Sequence, residues 1–178
     1  KTYNSANAKI ELNENNSEFS AYVNYLYRGG RFIFEPGFRL QKYTLGTSPE
    51  PRLGIKYLAS DVLRFKLATG LYSQNIMSTV SDRDVVNLFY GFISSPENLP
   101  IDEEGNEYKD KIQKARHLIL GLEYDINLKM DFQIEGYIKD FTQLTNINRS
   151  MTSNYDNEFI VERGLAKGID FLLKYKTK

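Results

Sequence analysis

The sequence predicts an all-β protein built as an antiparallel up-and-down meander of about seven strands. Three observations carry this. Apolar and polar residues alternate through several segments of about ten residues. In RFIFEPGFRLQKY (31–43), Phe32, Phe34, Pro36, Phe38 and Leu40 fall on one face, and Glu35, Gly37, Arg39 and Gln41 on the other. Clusters of turn-forming residues separate these segments. The chain also holds 13 Tyr and 11 Phe, side chains that suit a pleated, half-buried surface.

Taken in order, the strands are expected at 18–27, 31–43, 50–58, 63–74, 116–124, 129–143 and 165–175. Between the first two lies Arg28-Gly29-Gly30, between the third and fourth Ala59-Ser60-Asp61, and between the fifth and sixth Asp125-Ile126-Asn127. Each has hairpin length and tolerates unusual backbone angles. The intervening connections, 44–49, 75–115 and 144–164, are expected to be longer. In a meander, short turns then gather at one end and long loops at the other. Pro36, in mid-strand, removes a donor and predicts a bulge or weak pairing there.

The bulk numbers bound the function. The 178 residues suffice for one domain, and 23 basic against 23 acidic side chains leave no basic footprint for nucleic acid. The absence of cysteine excludes a disulfide framework, a thiolate metal site and a cysteine nucleophile. No apolar run approaches the ~18 residues of a membrane helix. The mean hydropathy is on the hydrophilic side. Neither point excludes a membrane β-barrel, whose strands are only half apolar.

The faces raise the functional question. From 31–43 through 129–143 one face carries no charge over about ten residues, the length a tilted strand needs to cross a bilayer. The other face mixes Arg, Lys and Glu with glycine. A soluble sheet buries the first face in a core; a membrane barrel turns it to lipid. The last strand is less tidy, because Lys167 shares a face with Ile169, Phe171 and Leu173. Tyr27, Tyr43, Tyr57, Tyr72, Tyr124 and Tyr175 fall near strand ends, where interfacial girdles are expected.

The stretches SEFSAYVNYLYRGGRFIFEPGFRLQKY and EPRLGIKYLASDVLRFKLATGLYSQ, followed by ARHLILGLEYDINLKMDFQIEGYIKDFTQL and GLAKGIDFLLKY, resemble the barrel of TonB-dependent outer-membrane receptors of Bacteroidota-type bacteria. The resemblance covers most of residues 18–175 in the family's order. It implies that 1–178 is a partial β-barrel domain, part of a larger transmembrane barrel of about 22 strands. The family's plug domain, TonB box and remaining strands would be absent from this chain. It further implies an integral outer-membrane protein that imports a scarce or bulky ligand with energy from TonB–ExbB–ExbD acting through the plug. The lipid bilayer, and a surface lipoprotein as lid, would be further partners. On this reading Glu35, Arg39, Arg52, Lys56, Arg64, Lys66, Glu123, Gln133 and Glu135 face the lumen, against the plug or ligand. Asp82, Arg83, Asp84, Phe89, Tyr90 and Phe92, in an extracellular loop, would contact ligand. Two alternatives stay open: a complete eight-stranded barrel acting as an adhesin or structural protein, with Ala8 to Leu12 as the extra strand, and a soluble sheet that binds an apolar partner.

No catalytic, metal or cofactor site is expected. VSDRDVVNLFYGF (80–92) suggests a short helix capped by Ser81 or Asp82, with Val85, Leu88, Phe89 and Phe92 along one side. IDEEGNEYKDK (101–111) lacks the ligand spacing of a calcium loop. Asn148-Arg149-Ser150 matches a glycosylation sequon by chance. His117 is the only histidine; it lies roughly 20 Å along the strand from Glu123, which suits lumen hydrogen bonding better than acid–base work. Glu35 and Glu135, as a glycosidase-like pair, would have to meet across several strands.

Overall fold

The computed structural model describes residues 2–5, 8–11, 17–44, 46–78, 92–93, 112–147 and 159–177. Among them the regular structure is all strand: β1 (Thr2–Ser5), β2 (Ala8–Glu11), β3 (Phe19–Asn24), β4 (Tyr27–Gly29), β5 (Phe32–Tyr43), β6 (Gly46–Leu58), β7 (Leu63–Gln74), β8 (Met77–Ser78), β9 (Phe92–Ile93), β10 (Gln113–Asn127), β11 (Met130–Ile147) and β12 (Phe159–Tyr175). Eight of these form one antiparallel sheet in the order β12-β11-β10-β7-β6-β5-β3, with β4 also paired to β5. The up-and-down meander is therefore as expected. Among the described residues β1 pairs only with β2, and β8 only with β9. The candidate strand starting at Ala8 thus does not join the main sheet, and among the described residues β3 and β12 are its two unjoined edges.

The turns follow local chemistry. β4 and β5 are joined through Gly30 and Arg31, and Gly30 has φ +56°. A positive φ at the first central position is what a two-residue hairpin of the II′ kind requires. Between β6 and β7, the Ser60 hydroxyl accepts from the backbone N–H groups of Val62 and Leu63, at 3.3 and 3.1 Å. The β10–β11 turn sits later than expected, at Leu128–Lys129, with the Asn127 side chain accepting from Lys129 N at 2.9 Å. Asp125-Ile126-Asn127 is instead strand, with a register shift between Asp125 and Asn127.

Two of the expected long loops are shorter. β5 and β6 pair as far as Tyr43 opposite Gly46, so the connection expected over 44–49 is a tight hairpin. Strict alternation of short and long connections therefore does not hold. The loop expected over 144–164 shrinks because β11 runs on to Ile147 and β12 begins at Phe159. Phe92 lies in a strand, contrary to the expected helix; residues 80–91 lie outside the described residues.

Prolines mark where the ladder breaks. Tyr25 N donates to Pro36 O at 3.0 Å, and an antiparallel pair of that kind normally exchanges a second bond. Pro36 has no N–H to return it, and there β3 and β4 are interrupted while keeping a common register. The expectation of weak pairing holds, without a bulge. On β6, even-numbered residues bond toward β5, as Leu58 N to Arg31 O at 2.8 Å shows. The nitrogens of Pro49 and Pro51 therefore point toward β7 with no proton to offer, and β6–β7 pairing stops at Arg52 opposite Gly70.

Candidate functional site

Register assigns every side chain of the main sheet to one of two faces. Phe34, Ile55, Leu67, Leu120, Gly136 and Ile169 are successive cross-strand partners on the apolar face. On the opposite face, Lys56, Lys66, Gly121, Glu135 and Asp170 form one row. Glu35, Arg39, Arg52, Lys56, Arg64, Lys66, Glu123, Gln133 and Glu135 all share this polar face.

Burial is inverted between the faces. On β10, an interior strand, Leu120 is 57% exposed, whereas the Glu123 side chain is 12% exposed. On β5, Phe38 and Leu40 are exposed while Gln41 and Tyr43 are buried. Among the described residues the buried apolar side chains are only Tyr43 and Ile112. A water-soluble domain needs a second layer over its apolar face. Here the polar side chains pack on one another, while the apolar ones, though Phe32 touches Phe34 and Tyr57, are covered by no second layer among the described residues. A sheet curled with its polar face inward has this signature.

At the short-turn end, the polar face carries a balanced charge cluster. Glu123 accepts from Lys56 Nζ and Arg64 Nε, each at 3.0 Å, and pairs with Lys66. Arg64 forks onto Asp125, with Nη1 to Oδ2 at 2.7 Å, and Lys66 reaches Glu135 at 3.6 Å. Three cations thus meet three carboxylates drawn from β6, β7, β10 and β11. The arrangement ties four strands together and balances its own charge. Glu35 and Arg39 have no ion-pair partner among the described residues.

Further along, aromatic rings take over. His117 stacks on Tyr72 with centroids 4.3 Å apart, and the Arg52 guanidinium lies 4.6 Å from the centroid of the same ring. Histidine 117 therefore has an aromatic partner rather than Glu123. Tyr137 lies over Gly168, where an added Cβ would meet its hydroxyl at 2.5 Å. Tyr43 and Tyr72 belong to this polar face, which corrects their expected place in an interfacial girdle. Tyr27, Tyr57, Tyr124 and Tyr175 are on the apolar face. Glu35 and Glu135 are separated by β6, β7 and β10, roughly 19 Å at the usual strand spacing, too far for paired carboxylate chemistry.

The proline-blocked fork between β6 and β7 holds a group that the sequence pattern does not reveal. β6 and β7 have parted before the level where Ser73 would meet Pro49, so the Ser73 N–H does not reach the Pro49 carbonyl that continued pairing would offer. Glu50, 1% exposed, supplies the acceptor instead: Ser73 N at 2.9 Å and Ser73 Oγ at 2.6 Å both donate to Oε1. Arg52 Nη2 donates to the other carboxylate oxygen at 2.7 Å, and Tyr43 Oη lies 2.8 Å from Ser73 Oγ. The sequence signal was the Pro-Glu-Pro run, prolines at alternate positions flanking one carboxylate. Asp82, Arg83, Asp84, Phe89 and Tyr90 lie outside the described residues, as do 101–111 and Asn148-Arg149-Ser150.

The apolar band also drifts along the strands. Measured from the row through Phe34 and Ile169, the first charged residue away from the short turns is eight residues on for β5 (Lys42), four for β10 (Arg116), four for β11 (Asp140) and two for β12 (Lys167). The turns drift in the same sense. From that row, Arg31 is three residues away on β5 and Leu128 eight on β10.

No family model and no curated protein matches this chain. No described helix is long and apolar enough to cross a membrane, which says nothing of strands.

Proposed function

We propose that this chain is part of an outer-membrane β-barrel of the TonB-dependent receptor type, which takes up a scarce or bulky ligand. The observation that carries the membrane half of this reading is the inverted burial: the charged face is packed and the apolar face open. The drift of the band supports it. Its edge moves six residues, from eight to two, over the five steps from β5 to β12. At about 3.3 Å per residue and about 4.8 Å per strand this is an inclination of about 40°. A flat apolar slab cutting strands at that angle matches barrel strands, which tilt by roughly 35–45°.

The unjoined edges at β3 and β12 favour a larger barrel, since lipid satisfies no backbone group. The receptor half rests on the sequence resemblance. Within it, the lumen face would be divided. Lys56, Arg64, Lys66, Glu123 and Glu135 hold the wall together, while Glu35, Arg39 and Gln133 meet the plug or solute. Energy would come from TonB–ExbB–ExbD through that plug, and the ligand would be met first by the loop that includes Phe92.

Fractionation tests the reading. Expressed with the gene that encodes it, the protein should pellet with the outer membrane and run faster on gels unheated than boiled. Recovery as a monodisperse protein without detergent would remove the membrane reading. Uptake that persists after loss of TonB would remove the receptor reading alone.

A further inference from the structure

Lys167 is the feature that an uninterrupted lipid face leaves unexplained. It stands on the apolar side of β12, opposite Ile138 and two residues from Ile169. Its side chain is exposed and has no carboxylate partner among the described residues. Beside it the apolar face is dented. Gly136 has open space where a Cβ would be, and Leu118, Leu120, Ile138 and Ile169 line a groove of about 460 Å³ together with Lys167, which stands in the row of Ile138 and Leu118.

We propose that this groove binds one acyl chain of an anionic membrane lipid, whose headgroup phosphate pairs with the Lys167 ammonium. This rests on the membrane reading above and adds a site to it. Depth argues for the occupant. The band's charged edge passes through Lys167 on β12 and Asp140 on β11, so the ammonium lies where hydrocarbon gives way to headgroups, and the groove runs from there into the band. An apolar protein segment would leave the ammonium unpaired, and a zwitterionic headgroup would bring its own cation beside it. An anionic lipid satisfies both the cation and the dent, and a lysine near a membrane surface favours anionic lipid.

The test uses the membrane-reconstituted protein and two photoreactive lipids with the same diazirine acyl chain, phosphatidylglycerol and phosphatidylcholine. Labelling is read on peptides containing Gly136 and Ile169. The expected result is about fivefold more labelling by phosphatidylglycerol. Lys167→Gln should bring the ratio to about one with total labelling kept, and Gly136→Leu should lower labelling by both lipids. Equal labelling in the unsubstituted protein, or a preference that survives Lys167→Gln, would overturn the site while leaving the membrane reading intact. No labelling of these strands by either lipid would overturn both.

Discussion

Along β10, Leu118 and Leu120 project from the open face, while Glu123 on the opposite side is held by three cations from two other strands. The same strand thus packs its charges and displays its leucines. In a soluble sheet the apolar side collects the packing, because water rewards its removal. Here the side chains gain order on the polar side, where partners are specific, and the apolar side is left uniform. The difference teaches what each face is for: one fixes the strands relative to one another, and the other meets an environment that needs no specific partner.

Substitutions can break this contrast. A charge on the open face should cost most if that face meets hydrocarbon. Leu120→Lys is expected to destabilise the folded protein by about 2–4 kcal/mol, read by urea unfolding from vesicles. Removing a well-partnered polar group should come next. Glu50→Ala takes the acceptor from the Ser73 N–H and hydroxyl and the carboxylate from the half-exposed Arg52, an expected loss of about 2–3 kcal/mol in the same assay. At the short-turn end Arg64 and Lys66 keep a second carboxylate and only Lys56 loses its partner, so Glu123→Gln is expected to cost about 1–2 kcal/mol. Gly168→Ala meets the end of the Tyr137 ring, which can swing aside, and should cost about 1 kcal/mol. If Glu123→Gln proved costlier than Glu50→Ala, the two ends would have exchanged roles.

Much of this architecture is legible in the sequence. The span 63–74 coincides with β7 to the residue, and 31–43 differs from β5 by one, because unbroken alternation flanked by Gly or Ser leaves few choices. The nine charged and amide residues expected on one face do share it, since a period of two admits no partial error. What failed has physical reasons. Ser48 and Pro49 read as loop, yet the missing donor of Pro49 faces a neighbour that has already peeled away, so β6 continues through them. Asp125-Ile126-Asn127 reads as a turn, but a bulge absorbs it and the chain reverses two residues later. Glu50 escaped notice because its main partner, Ser73, is 23 residues distant and only the fold brings it near.

The central claim is that the apolar face meets lipid across strands inclined to the membrane. The chain has no cysteine, so single spin labels at Leu53→Cys, Leu118→Cys, Leu120→Cys and Glu123→Cys can be placed without background. In reconstituted vesicles, the account predicts high oxygen and low nickel-chelate accessibility at 53, 118 and 120, and low values for both at 123. It further predicts that position 53 matches 120 in depth, while its own register row, which passes through 118, climbs by about 6 Å over two strands at a 40° tilt. Free collision of the nickel chelate with labels at 53 and 120 would contradict it.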